Sequence, residues 1–114
     1  DRVRACGIEF VKTVDPYDLA ATEQAVREAL DFNGPAVIVS EHACPLLRKK
    51  EGKLEKKLYE VDREKCIGCK MCLKVGCPAV MVNEGKARID AAQCIGCTVC
   101  AQVCPKGAIS RRER

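Results

Sequence analysis

Eight of the ten cysteines in this chain fall into two near-identical runs, Cys66-x2-Cys69-x2-Cys72-x4-Cys77-Pro78 and Cys94-x2-Cys97-x2-Cys100-x3-Cys104-Pro105. Thiols at this density dictate what the surrounding backbone does. Three thiolates on one short loop can wrap three corners of a compact Fe4S4 cube, but the same loop cannot close round the fourth corner. In runs of this spacing the last, Pro-followed cysteine serves the other cluster. Two cubane [4Fe-4S] clusters are therefore predicted. Cys66, Cys69, Cys72 and Cys104 hold one, and Cys94, Cys97, Cys100 and Cys77 hold the other. The chemistry such clusters imply is electron transfer, and the crossed ligation staples the two halves together.

Two other readings of the cysteines fit less well. A structural zinc site shows two separated Cys-x2-Cys pairs and needs four ligands, whereas each half here offers a triplet. A disulfide scaffold belongs to secreted chains, and residues 1–14 have no basic head followed by a long apolar run. Ile-Gly recurs between the first two ligands of each run, as Ile67-Gly68 and Ile95-Gly96. Glycine there lets the backbone turn close to metal with N–H groups toward sulfur, and isoleucine keeps water away.

Cys66, Cys69 and Cys72 recur 28 positions later as Cys94, Cys97 and Cys100, while Cys77 maps to Cys104 at an offset of 27. The first half thus carries one extra residue, which Gly76 can absorb. Residues 58–61 and 108–111 read as short strands, and 80–83 and 87–90 as a hairpin around Glu84-Gly85-Lys86. Helical turns are expected near 71–75 and 99–103. The predicted fold of residues 59–114 is α+β, a two-cluster bacterial-ferredoxin-like domain with a pseudo-twofold internal repeat. So small a domain buries little apolar surface, so metal binding should supply much of its folding free energy.

Residues 1–47 are of another kind. A β-rich run at 10–14 is followed by Asp15-Pro16, read as a helix N-cap with Pro in the first helical position. Leu19, Val26, Ala29 and Leu30 recur at helical spacing, with Thr22 interrupting the stripe, and Asn33-Gly34-Pro35 stops the helix. Residues 36–39 are continuously apolar, as in a parallel strand buried on both faces. The segment reads as one βαβ unit. Two strands and a helix cannot cover both faces of a sheet, and the chain opens at Asp1 rather than at a methionine, so a remnant of a larger α/β domain is expected. Residues 48–58 read as a charged, solvated linker.

Net charge is −4 over residues 1–47, +3 over 48–65 and +5 over 66–114. Each thiolate-bound cube would bring about −2, leaving the last segment near +1. Nucleic acid is therefore not an expected partner, despite Arg111, Arg112 and Arg114, and no membrane association is expected. Lys70, Lys74 and Lys106 lie near ligands, where they could favour a reduced cluster or steer an acidic ferredoxin. Cys6 and Cys44 should sit at opposite ends of the βαβ sheet as buried or idle thiols. Cys44 is the better functional candidate of the two, since ligands gather beyond the carboxyl ends of such strands. His42, in the same loop, is expected to be neither a metal ligand nor part of a nucleophilic site, and Met71 and Met81 should pack around the clusters.

Two stretches carry a family resemblance. Val14-Asp15-Pro16, Leu19, Ala25, Arg27-Glu28-Ala29-Leu30 and Gly34-Pro35-Ala36-Val37-Ile38-Val39 resemble the closing βαβ of the thiamine-diphosphate domain in indolepyruvate ferredoxin oxidoreductase alpha subunits. Val61-Asp62, the run from Cys66 to Ala79 and the run from Cys97 to Ile109 resemble that subunit's terminal ferredoxin domain, including the extra residue before Cys77. The resemblance implies part of a cytoplasmic, oxygen-sensitive enzyme of anaerobic metabolism. It would decarboxylate a 2-oxoacid on thiamine diphosphate and Mg, form an acyl-CoA and pass electrons to an external ferredoxin. Its partners would be the remainder of the alpha subunit and a beta subunit. No catalytic residue is assigned in this chain. It lacks a Gly-Asp-Gly metal–diphosphate signature and has only four aromatic residues, Phe10, Tyr17, Phe32 and Tyr59, so no turnover is expected from it alone. The alternative is a free-standing two-cluster ferredoxin or small electron-transfer subunit, which the reading frame upstream of Asp1 would distinguish.

Overall fold

The structure, a computed structural model, describes residues 2–52 and 58–112. The chain divides into two compact units, Asp1–Cys44 and Pro45–Arg114.

In the first unit, a short helix α1 (Arg2–Ala5) precedes β1 (Phe10–Val14), α2 (Leu19–Asp31) and β2 (Ala36–Ser40). β1 and β2 pair in parallel, from Phe10 opposite Ala36 to Val14 opposite Ser40. Phe10 meets Phe32, the residue capping the end of α2, with ring centroids 5.3 Å apart. Lys12 pairs with Glu28 of α2, so alternate β1 side chains face the helix. The helix begins later than the Asp15-Pro16 signal predicted. Asp18 is the N-cap, its carboxylate accepting the Ala21 N–H at 3.0 Å. Asp15 instead closes a turn by accepting the Tyr17 N–H at 2.9 Å. An Asp-Pro pair suits a tight turn as well as a helix start, and only Asp18 stands three residues before a free N–H of the helix.

The predicted apolar stripe also differs. Ala25 is the buried residue of α2, whereas Val26 is 42% and Leu30 80% exposed. Val37, Ile38 and Val39 of β2 are half-buried rather than enclosed.

The second unit opens with α3 (Pro45–Lys50), which takes up the start of the segment read as a linker; residues 53–57 of that segment, like Arg114 of the basic tail, lie outside the described residues. Then follow β3 (Tyr59–Val61), a 3-10 turn (Met71–Val75), β4 (Val80–Asn83), β5 (Lys86–Ile89), α4 (Val99–Val103) and β6 (Ile109–Arg111). β3 pairs antiparallel with β6 and β4 with β5, and β3 packs beside β5. The turn between β4 and β5 has two residues rather than three. Glu84 (φ 50°) and Gly85 (φ 77°) are both left-handed, as the twist of a two-residue hairpin demands.

The helical turns occupy the expected residues but differ in kind. α4 runs directly into the extended Cys104, whereas the 3-10 turn ends on Gly76 at φ 73°. Gly76 and the tighter winding accommodate the extra residue before Cys77. The buried centre is small: Cys72, Val80, Cys100 and Ile109, with Tyr59, Leu73 and Ile89 packed against it.

Candidate metal centres

The eight thiols of the two runs gather in two hollows of the second unit. Cys66, Cys69, Cys72 and Cys104 line the first. Cys77, Cys94, Cys97 and Cys100 line the second. Each hollow therefore takes its fourth thiol from the other run.

The backbone arranges this with one device used twice. Asp62 stands four residues before Cys66, and Asp90 four before Cys94. The carboxylate of each accepts the N–H two residues on, from Glu64 and Ala92, at 2.9 Å. The carbonyl of each accepts the N–H of its cysteine at 3.0 Å. The Asp62 N–H donates to the Ala108 carbonyl at 2.7 Å, and the Asp90 N–H to the Ala79 carbonyl at 2.8 Å. Each triplet is thereby tied to the segment just behind the proline-flanked cysteine of its own hollow. The two aspartates were not singled out from sequence, although their shared position ahead of each triplet at the 28-residue offset was a legible signal.

Between the thiols the loops turn through left-handed residues at matched positions: Gly68 (φ 70°) and Lys70 (61°) in the first, Gly96 (71°) and Thr98 (72°) in the second. Gly68 is required for space as well as conformation. A Cβ there would lie 2.5 Å from the Gly85 carbonyl oxygen, so the first ligand loop passes directly against the β4–β5 turn.

The thiols differ in what surrounds them. N–H groups of Ala87 and Gly68 bond to Cys66 and hold its thiol below the ordinary value, with Lys86 and Arg63 adding to the effect. Cys104 accepts the Ala108 N–H at 3.4 Å. Burial raises Cys72, with Cys104, Cys66 and Cys69 adding repulsion. Cys100 is pushed up to about 11, chiefly by burial and then by Cys97, Cys94 and Cys77. Each set is close enough for its members to oppose one another's ionisation, so four thiolates there need positive charge among them. Among the described residues, however, no three His, Cys, Asp or Glu side chains are placed to share a single ion. Four thiols around a hollow, rather than on one point, suit a cube whose irons take one thiolate each.

Other residues take different places. Cys6 and Cys44 are free and exposed rather than buried; they lie before β1 and after β2, as expected of opposite sheet ends. His42 Nδ1 lies 3.1 Å from an Asp15 carboxylate oxygen, and its ring sits 4.3 Å from that of Tyr17. Met71 borders the first hollow, but Met81 is exposed on β4 and lines neither.

Residues 57–105 match the family described as a 4Fe-4S dicluster domain. The chain is 45% identical over 115 residues to the indolepyruvate oxidoreductase subunit IorA of Pyrococcus horikoshii, an alignment covering 95% of this chain and 18% of that protein. It is 42% identical over 110 residues to the subunit of the same name from Methanothermobacter marburgensis (96% and 17%). The Archaeoglobus fulgidus subunit is 40% identical over 114 residues (96% and 18%). The chain therefore spans less than a fifth of the curated relatives it matches. Along nearly its whole length it is homologous to part of the IorA subunits of indolepyruvate oxidoreductase, and its residues 57–105 carry a 4Fe-4S dicluster domain.

Proposed function

We propose that this chain is the electron outlet of an indolepyruvate ferredoxin oxidoreductase. The observation that carries the reading is the interleaving of the thiols, with Cys104 beside Cys66, Cys69 and Cys72, and Cys77 beside Cys94, Cys97 and Cys100. These two sets hold the two [4Fe-4S] clusters. When bound, such clusters each accept and release one electron with little rearrangement. The protein's part is to exclude water and to aim N–H groups at sulfur, as Ala87 and Gly68 do at Cys66 and Ala108 does at Cys104.

The matched aspartate turns and matched left-handed residues support a pseudo-twofold ferredoxin-like domain over residues 59–114. The parallel β1–β2 pair with α2 between its strands, exposing Val26 and Leu30, supports reading 1–47 as the βαβ remnant of a larger α/β domain, with 48–58 as the connection. In that reading thiamine diphosphate, Mg and the catalytic residues belong to the rest of an alpha subunit, a beta subunit completes the cytoplasmic enzyme, and an external ferredoxin takes the electrons. This chain alone turns nothing over. Among the described residues no helix is long and apolar enough to cross a membrane.

Anaerobic iron and sulfide analysis tests the proposal, with about eight of each expected per chain and a reduced-state paramagnetic signal. Cys77→Ala should damage chiefly the cluster of Cys94, Cys97 and Cys100, and Cys104→Ala that of Cys66, Cys69 and Cys72. Losses confined to the run that carries the mutation would refute the crossing.

A further inference from the structure

The internal repeat supplies its own control, because each residue of the first ligand loop has a counterpart 28 positions on. Ile67 is 61% exposed and Ile95 40%. Cys69 and Met71 are exposed, whereas Cys97 and Val99 are partly buried. Charge divides in the same direction. Lys70 borders the first hollow where Thr98 borders the second. Lys106 borders the first as well. It belongs to an insertion, since Cys104-Pro105 reaches Ala108 through Lys106-Gly107 while Cys77-Pro78 runs straight into Ala79, the residue bonded in the same way.

Arg63 and Lys86 lie close enough to act on Cys66. Of these, Arg63 is paired with Glu84 at 2.9 Å, whereas Lys70 and Lys106 form no ion pair among the described residues. Among the described residues, no charged side chain lines the second hollow. The first site therefore shows an apolar rim of Ile67, Met71 and Val82, 40% exposed or more, set among cations.

Resting on the two-cluster reading above, we infer that the face bearing Ile67, Lys70, Met71 and Lys106 is where an acidic one-electron carrier protein docks, so that electrons leave through the Cys66–Cys69–Cys72–Cys104 site. An apolar centre ringed by like charge is what a short-lived redox encounter requires: steering from a distance, then a small dry contact. In each encounter one electron leaves the first-site cluster, which is oxidised, and the carrier is reduced by one; no proton or bond changes hands. The same cations favour the reduced state of that cluster, which directs electrons toward it from the second.

The test uses the full chain with both clusters loaded and reduced, and a small acidic ferredoxin as the probe, mixed anaerobically by stopped flow. Lys70→Thr with Lys106→Ala removes both cations that line the first hollow and leaves Lys86 and Arg63 in place. It should lower the second-order rate roughly tenfold at low ionic strength and flatten its salt dependence, while Arg88→Ala with Arg111→Ala, the same charge change at exposed residues that line neither hollow, should change the rate less than about twofold. An unchanged rate in the first variant, or an equal loss in the second, overturns the inference. Should the lysine variant hold less iron, carbodiimide cross-linking of the unaltered chain decides: links from Lys70 or Lys106 to the probe uphold the inference, and links only to other lysines, or none, overturn it. Absence of iron from the unaltered chain would instead remove the two-cluster reading itself.

Discussion

Gly68 shows how a single hydrogen atom's width decides a site. Its φ of 70° is costly for any side chain, and the Gly85 carbonyl occupies the place a Cβ would take. Gly68→Ala should cost about 1–3 kcal/mol and shift the first ligand loop away from the hairpin. Denaturant titration of the cluster-loaded protein measures the cost, and the loop shift should broaden the signal of the first cluster alone. The sequence called for glycine here so that the backbone could approach the metal, and that remains part of the reason. The collision with Gly85 was not visible, because the two residues are distant in the chain. Asp62 and Asp90 make the complementary point: their matched spacing before each triplet was legible in the sequence, but their part in closing the turn emerges only where each carboxylate accepts the N–H two residues on.

At the scale of elements, periodicity and turn residues located the strands and the turns at 71–75 and 99–103 to within a residue or two, but gave no sign of α1 or α3, and the start of α2 followed hydrogen bonds that pattern alone does not rank. Asp15 and Asp18 are both plausible caps by type. Asp18→Ala should therefore lower the stability of the first unit by about 1 kcal/mol, and Asp18→Asn by far less, since the amide oxygen can accept the same Ala21 N–H. A urea midpoint followed by helical circular dichroism distinguishes the two. The apolar positions of α2 identified the helix, but not its buried face. In this chain the sheet beneath has two strands, so Ala25 is enclosed and Leu30 reaches solvent.

The second unit as a whole has a slight core: the buried centre is four residues, two of them cysteines that line the hollows. Chelating the iron under anaerobic conditions should therefore release the β3–β6 and β4–β5 amides to rapid hydrogen exchange, as in small metal-dependent domains. Retained protection after complete iron loss would show that side-chain packing alone sustains the unit. Cysteine spacing was enough to expect two cubes and to propose which thiols hold each, because a short loop can reach only three corners and must borrow the fourth. Spacing could not say which site faces outward. That asymmetry arises where Lys106-Gly107 bulges beside one hollow and the β4–β5 turn lies against one loop, and contacts between residues far apart in the chain exist only once the chain has folded.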